Sequence, residues 1–421
     1  MSGELAGLPA AEPVRPPPGL RRTFAALRFP NYRRWFFGQM ISLFGTWMQM
    51  TAQGYLVYDL TRSSAYLGYV AFASGVPTWL FMLYGGVVAD RVSRRTLMVV
   101  TQSAMMLLAF VLSALTFTGA VEPWHILVLA ALLGVANAFD APARQAFVLE
   151  MVDRAHLTNA IALNSTMFNC ATALGPAASG LVYAAFGPGF CFAINGLTFL
   201  AVIASLLSMK LAPRTEGARK GSGLADLLAG LRYVFGHSVI RVLIALVGLV
   251  TLFGLSFATL LPAITVTVLG GDARTLGWLQ SSRGFGSLLG ALLVASLGTV
   301  AYKGRLLTWG SLALPAMLFL FGLTRWLPLS LLTLVGLGTA LILTLNVANA
   351  LVQTVVEDGM RGRVMAAYSL TFFGLMPLGG LLAGAVAHRV GEPVTVLASA
   401  VILFFAAALI ALLLPRIRAL P

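Results

Sequence analysis

Charged residues follow a pair of glycines at the end of one apolar stretch, in the run Gly85-Gly86-Val-Val-Ala-Asp90-Arg91-Val-Ser-Arg94-Arg95. In a helix, the small Gly86 would let another helix approach closely. Asp90, at a helix end, can meet the positive N-terminus of a neighbouring helix, and Arg94 can pair with an acid on a later segment. The alternative is ordinary basic charge flanking a membrane segment. An aspartate before a basic cluster, four residues after a glycine, favours the more specific interpretation.

A single arginine lies inside another apolar stretch. Arg283 follows the start of that stretch by about two helical turns, with Gln280 and Ser287 on the same helical face. Ionisable side chains are costly in a bilayer and usually face a cavity or a partner. We therefore interpret Arg283 as a residue that binds a substrate anion or takes part in coupling. The alternative is a side chain that extends to the membrane interface.

Amide side chains add polar faces to several apolar stretches. We expect several of them to line a central cavity, although a hydrogen bond between helices is the alternative for each. The predicted cavity residues are Gln49, Gln53, Asn164, Gln280, Arg283, Asn346 and Asn349.

Other chemistry has little support in the sequence. A phosphate-binding Gly-x-x-x-x-Gly-Lys-Ser/Thr loop is missing, and the four histidines lack the spacing of metal ligands. We expect no catalytic site, no metal and no cofactor. If the protein moves molecules across a membrane against a gradient, the energy is expected to come from the proton-motive force. Asp59 is a candidate proton carrier, or else only a loop charge.

The composition indicates that these residues are held by membrane helices. Of the 421 residues, 59% are hydrophobic and only 10% are charged, against about 25% charged in soluble domains. The apolar runs are continuous, which excludes the alternating pattern of a membrane β-barrel. A net charge of +14 could suggest nucleic acid, but the basic residues fall between apolar stretches, as they do in cytoplasmic loops. The expected partners are a lipid bilayer and a small-molecule substrate, not nucleic acid, and the chain is expected to act as a monomer.

Twelve stretches approach the length of about 20 apolar residues that a bilayer core requires. They cover 35–57, 65–88, 96–118, 124–144, 157–185, 190–209, 239–269, 275–299, 306–324, 327–352, 362–387 and 393–414. The basic residues gather on one side of this arrangement, which predicts cytoplasmic N- and C-termini in the inner (plasma) membrane.

The stretches fall into two similar halves, 35–209 and 239–414. Gly86-Val-Val-Ala-Asp90-Arg91 is matched by the run at 298–305, and Gly175-Pro176 by Met376-Pro377-Leu-Gly-Gly. Internal repeats of this kind are typical of secondary transporters. The rest is predicted as a disordered cytoplasmic tail (1–34), a linker (210–238) holding a short amphipathic helix or no helix at all, and a C-terminal tail (415–421).

The run from Gly85 to Arg95 resembles the loop signature between the second and third helices of the major facilitator superfamily. The stretches Asn137-Ala-Phe-Asp140-Ala-Pro-Ala-Arg144-Gln-Ala-Phe and Leu157-Thr-Asn-Ala-Ile-Ala-Leu-Asn164-Ser are similar to the branch that includes enterobactin-type exporters and drug/proton antiporters. The resemblance covers nearly all of 30–414. It implies an all-α membrane fold of twelve transmembrane helices in two pseudo-symmetric six-helix bundles.

The resemblance also implies roles for particular residues. Asp90, Arg91, Arg94 and Arg95 would form a charge network with an acid at the cytoplasmic end of the fourth segment, where Asp140 fits. This network would lock the cytoplasmic side, although Asp140 could instead carry a proton. The exporter motif of the fifth segment is partly kept, and its packing and bending residues would be Gly175, Pro176 and Gly180. The buried arginine of the family's fourth segment is replaced by Ala130.

The function predicted from these features is export of small amphipathic molecules (a siderophore, drug or secondary metabolite) by alternating access, with proton antiport. An importer or uniporter of the same fold, or a membrane sensor that transports nothing, is the alternative.

Overall fold

The computed structural model of the protein describes residues 24–210, 223–297 and 303–413, and the described chain is almost wholly helical. The parts of the predicted tails, linker and repeat that fall on 1–23, 211–222, 298–302 and 414–421 lie outside the described residues. The helices are α1 (Pro30–Thr61), α2 (Ser64–Arg91), α3 (Arg94–Phe117), α4 (Pro123–Met151), α5 (Leu157–Phe186), α6 (Pro188–Leu207), α7 (Gly223–Gly236), α8 (Ser238–Thr267), α9 (Ala273–Leu297), α10 (Lys303–Leu323), α11 (Leu327–Val355), α12 (Arg361–Val390) and α13 (Glu392–Leu413).

Each predicted apolar stretch overlaps one of these long helices. Within the described ranges, eight helices are long and apolar enough to cross a bilayer: α3, α4, α6, α8 and α10 to α13. A ninth joins them if the bent pair Ser64–Met82 and Tyr84–Arg91 of α2 is one span. The chain is therefore a multi-pass membrane protein.

The start of α1 corrects the predicted N-terminal tail. Residues 24–34 were expected to be disordered with the rest of 1–34, but a short helical turn at Ala25–Arg28 leads into α1. Pro30 stands in the first turn of α1, where its missing N–H costs nothing. Tyr32 and Trp35 are fully buried, and the Tyr32 hydroxyl donates to the Ala160 carbonyl over 2.9 Å. Aromatic burial thus extends the first helix beyond its apolar stretch.

Helix α8 contains a π-helical turn at Val250–Gly254. The Leu255 N–H donates to the Val250 carbonyl over 3.0 Å, five residues back rather than four. Pro262 lies in the last part of this helix.

The contacts divide the long helices into two groups with the same internal arrangement. In the N-terminal group, α1 to α6, the helix pairs α2–α4, α3–α4, α3–α6 and α1–α6 are in contact. In the C-terminal group, α8 to α13, the equivalent pairs α9–α11, α10–α11, α10–α13 and α8–α13 are in contact. The sequence repeat thus has a counterpart in helix packing.

Successive helices run in opposite directions, so their ends define two faces. We call the end with the loop Arg91–Arg94 the basic face and the end with the loop Thr61–Ser64 the far face. The buried core of the C-terminal group forms one apolar cluster, and a second cluster fills the basic half of the N-terminal group. A third cluster, in the far half of the N-terminal group, includes Ala263 of α8 and so joins the two groups.

Two helix pairs make most of the contact between the groups, α5 with α9 and α2 with α12. Glycines bring the backbones together along both pairs. A Cβ added to Gly277 of α9 would lie 2.6 Å from the Pro176 carbonyl oxygen of α5, and one added to Gly384 of α12 would lie 2.6 Å from that of Ser64. Gly68 similarly meets the Gly380 carbonyl. These close approaches extend from the far face to about the middle of the helices.

Helix α7 lies against the basic end of α12. Leu227 and Val234 are buried, and the Gly230 backbone meets the Arg363 carbonyl, whereas Phe235 is 67% exposed. Its buried and exposed faces are those of an amphipathic helix.

Candidate functional site

Arg283 lies on the face of α9 that points away from lipid. The opposite face of α9 is marked by three residues spaced seven apart, Trp278, Phe285 and Leu292. They are about half exposed, as expected for a lipid-facing surface. Gln280 and Arg283 are partly buried on the opposite face. That face lies between the surfaces of α9 that contact α5 and α11, and α9 also touches α1. Arg283 therefore faces the centre of the molecule.

Arg283 lies well inside α9 and not at either of its ends. It is ten residues from the start of α9, which is about 15 Å from the far end of the helix. Its Nε is shielded from solvent and has no hydrogen-bond partner. In the described ranges the guanidinium forms no ion pair.

Gln49 does not line a cavity. It is buried, and its Oε1 accepts a hydrogen bond of 2.7 Å from Asn195 Nδ2 of α6. This corrects the cavity prediction for Gln49, because the amide joins two helices of one group. The partner on α6 could not be identified from spacing along α1.

The other predicted cavity residues lie at different depths. The backbone of Gly338 on α11 meets the Arg283 carbonyl, and Asn346 is eight residues further along, about 12 Å closer to the basic face. Asn349 is one turn beyond and accepts a hydrogen bond of 2.6 Å from Gln353. Asn164 on α5 also lies towards the basic face, and Gln53 lies towards the far face. Gln280 and Gln53 lie about 11 and 12 Å from the far ends of their helices, close to Arg283 in depth, whereas the three asparagines lie nearer the basic face, so the seven residues do not form one cluster.

An aromatic pair lies close to the level of Arg283 along the helix axes. Trp47 of α1 and Phe168 of α5 are in edge-to-face contact with ring centroids 5.7 Å apart. Phe168 is 49% exposed and lies one helical turn from Thr172, whose backbone contacts Gly284 of α9. Phe168 thus lies about 6 Å from the level of Arg283 towards the basic face, while Trp47 packs at Gly175, slightly to the other side of that level.

The charge network at the basic face contains Glu150 instead of Asp140. Arg94 Nη1 lies 2.9 Å from Glu150 Oε1, and Arg94 Nη2 lies 3.4 Å from Asp90 Oδ1. Asp140 is ten residues before Glu150 on α4, about 15 Å along the axis, so both acids cannot reach Arg94. Arg95 instead donates to the carbonyls at the end of α6, Leu207 and Met209. Arg91 is exposed.

Asp140 is a separate buried acid. Its Oδ1 accepts hydrogen bonds from Thr101 Oγ1 over 3.0 Å and from Gln102 Nε2 over 2.9 Å, both on α3. Arg144 Nε lies 3.8 Å from its Oδ2. Thr101 and Gln102 lie seven and eight residues into α3, about 11 Å from its basic end, so Asp140 lies deeper than the cytoplasmic helix end where the resemblance placed it. These partners all belong to the N-terminal group, so the contacts of Asp140 do not join the two groups.

The close helix approach predicted for Gly86 belongs to Gly85. A Cβ at Gly86 would meet nothing within 4 Å, whereas one at Gly85 would overlap the Ala138 carbonyl of α4. Consecutive residues of a helix are about 100° apart around its axis, so an error of one residue moves the contact to a different face of the helix. Gly175 lies against Trp47 of α1, and Gly180 lies against the start of α9.

Glu392 at the far face is not among the site residues predicted from the sequence. Its Oε1 accepts a hydrogen bond of 2.5 Å from Ser64 Oγ of α2, and its Oε2 lies 3.3 Å from Thr267 Oγ1 of α8. One carboxyl thus joins both helix groups. A signal was available in the sequence, since the acid follows Gly391, which ends α12. Asp59, by contrast, forms an exposed pair with Arg62 over 2.7 Å.

We expect Glu392→Ala to loosen the far face, because Ser64 is buried and would lose its acceptor. The loss of a hydrogen bond to a charged group is worth about 1.5–3 kcal/mol, or roughly a tenfold or larger shift towards the open state. A cysteine introduced at the buried Ala273, in a chain whose Cys170 and Cys191 are replaced by alanine, reports the opening by its labelling rate. Glu122→Ala is the control, since the contacts of Glu122 stay at the start of α4. Equal labelling of the two variants would contradict the bridging role.

Asp272 shapes the start of α9 next to this contact. Partial burial acts to raise the pKa of its carboxyl, but hydrogen bonds from the Thr275 N–H and hydroxyl outweigh this and hold the pKa below its usual value. Among the described residues, no group of three or more histidine, cysteine or acidic side chains is placed to hold a metal ion.

Known proteins match this chain over most of its length. The family profile described as transmembrane secretion effector matches residues 21–420. The staphyloferrin A transporter of Staphylococcus aureus is 26% identical over 83% of this chain and 88% of its own. The multidrug efflux pump Tap of Mycolicibacterium fortuitum is 28% identical over 89% and 93%, and the enterobactin exporter EntS of Shigella boydii 25% over 80% of each.

Solved structures show the same fold. The nucleoside transporter NupG superposes with a TM-score of 0.73 at 14% identity, covering 91% of this chain and 99% of its own. A bacterial homologue of the lysosomal transporter Spinster superposes with a TM-score of 0.67 at 16% identity, covering 93% and 96%. These relatives and neighbours are transporters and not enzymes.

Proposed function

Because the chain belongs to the transmembrane secretion effector family of major facilitator transporters, we propose that it exports small amphipathic molecules across the plasma membrane by alternating access. All twelve long helices other than α7 cross the bilayer, and α1–α6 and α8–α13 form two bundles with the substrate between them. The basic face is cytoplasmic, since basic residues are retained on that side, and both termini lie there.

The contact between the two groups is the observation that carries this proposal. The groups have separate apolar cores over their basic halves and touch along α5–α9 and α2–α12 through glycines near the far face. Such a contact can open while each core stays intact. Rocking about it would expose a central site first to the basic face and then to the far face.

The direction and energy source are inferred from relatives and physics. Two relatives are described as exporter and efflux pump. Export against a gradient would be driven by inward protons, each worth about 2.3 kcal/mol per 100 mV of membrane potential. Asp59 and Asp140 are candidate carriers; Asp140 is buried and hydrogen-bonded inside one bundle, whereas Asp59 is exposed. No bound cofactor is needed for this cycle, and a monomer is sufficient for it.

Transport can be tested with purified protein in liposomes, with an imposed proton gradient. A panel of siderophores and drugs should include compounds that accumulate on one side only when the gradient is present. Cells lacking or overproducing the protein should differ in efflux of the same compounds. Uptake that collapses with an uncoupler would indicate an importer instead, and a lack of flux for every compound under every gradient would indicate a non-transporting protein.

A further inference from the structure

Arg283 is the basic residue nearest the middle of a membrane helix in the described ranges, and it has no acidic counterpart. Of the acids whose side chains the structure describes, all except Asp140 lie at or near helix ends. Asp140 is enclosed by α3 and α4, where Thr101 and Gln102 both donate hydrogen bonds to its Oδ1. Among the described residues, the region between the two helix groups therefore carries one fixed positive charge and no fixed negative charge.

An unpaired charge at this depth is retained only if something compensates it. A guanidinium in a bilayer interior is costly, and it normally pairs with an acid or with backbone carbonyls. Arg283 has neither among the described residues, and its Nε is buried without a partner. Its orientation away from the lipid-facing surface of α9 excludes pairing with a lipid headgroup at the end of the helix.

We propose that the substrate is an amphipathic anion whose carboxylate, sulfonate or phenolate group binds Arg283. This inference rests on the proposed transport function and assigns the chemistry of its substrate. Arginine presents a planar fork that matches a carboxylate by two hydrogen bonds. Gln280, on the same face, offers a further donor, and the Trp47–Phe168 pair covers the apolar part of the ligand. The site disfavours cations, because the described residues around it include no acid to balance them.

The test is equilibrium binding of fluorescent probes to purified full-length protein. Carboxyfluorescein and 8-anilinonaphthalene-1-sulfonate represent aromatic anions, and ethidium represents an aromatic cation. Wild-type protein should bind the anions more tightly than ethidium. Arg283→Gln should raise the Kd of both anions about ten- to a hundredfold without weakening ethidium, and Arg283→Lys should lie between. Arg274→Gln, which removes an exposed charge from the same helix, is the matched control and should bind like the wild type.

A stability measurement gives an independent readout. Removal of an uncompensated buried charge should leave the ligand-free protein as stable as before or raise its melting temperature. A lower melting temperature for both Arg283→Gln and Arg283→Lys would mean that Arg283 has a structural partner, and would overturn the proposal. So would wild-type protein that binds neither anion, or equal losses of anion and cation binding in Arg283→Gln.

Failure of transport and failure of this inference give different results. If no compound crosses the liposomes but the anion preference depends on Arg283, the transport proposal fails and the anion site stands. If cations are exported and anions are neither bound nor moved, the transport proposal stands and the anion site fails.

Discussion

Replacement of Gly277 by valine is expected to reduce transport about five- to 150-fold. The new Cβ would lie 2.6 Å from the Pro176 carbonyl oxygen and 3.1 Å from the Gly180 Cα, and both are backbone atoms of the opposite helix group. Backbone cannot move aside as a flexible side chain can. Overpacking of this kind costs about 1–3 kcal/mol, which would shift the balance between closed and open far faces about five- to 150-fold.

The substitution should lower the initial transport rate in liposomes and raise the labelling of the cysteine at Ala273 together. Gly362→Val is the control, because Gly362 is also helical but a Cβ there would meet nothing within 4 Å. Normal transport by Gly277→Val would show that the contact between α5 and α9 does not need to close during the cycle.

Asp140→Ala is expected to destabilise the folded protein. It would leave the buried Gln102 amide without its acceptor and Arg144 without its closest acid. Hydrogen bonds between membrane helices average only about 0.6 kcal/mol each, but the unpaired charge adds to them, for a total of about 2–3 kcal/mol.

The loss can be measured as the temperature at which the detergent-solubilised protein ceases to be monodisperse. Asp140→Ala should lower it by several degrees, and Asp140→Asn by less, since an asparagine oxygen can still accept from Gln102. Asp153→Ala, at an exposed position, should have little effect. If Asp140→Ala and Asp153→Ala lose monodispersity at the same temperature, Asp140 does not stabilise the fold. Its alternative role as a proton carrier would then be favoured.

The sequence predicted helices better than it predicted contacts. Apolar length alone located each long helix, because the cost of exposing backbone to lipid leaves few alternatives. Helix ends were less predictable, since α1 is extended by the burial of Tyr32 and Trp35 against another helix. Arg283 was also predictable, because a charge within an apolar stretch is visible without knowledge of its neighbours.

Pairing between helices was the part that the sequence did not determine. Gly85 and Gly86 are equally small, and which of them faces α4 depends on the rotation of the helix. Asp140 and Glu150 are both acids on α4, and only the relative height of α3 makes Glu150 the partner of Arg94. Gln49 has its partner 146 residues away on α6. Each of these depends on tertiary packing, which one sequence does not reveal.

The π-helical turn of α8 fixes the angular alignment of the two parts of that helix. A π turn contains about one residue more than an α turn, so deletion of one residue from Val250–Gly254 could restore regular winding. Every side chain from Phe257 to Thr267 would then swing by about 100° around the axis relative to Ser238–Leu249. Pro262, now 3.3 Å from the Cβ position of Gly54, would turn away from α1. A one-codon deletion here would therefore misalign the far end of the helix while leaving its composition and hydrophobicity almost unchanged.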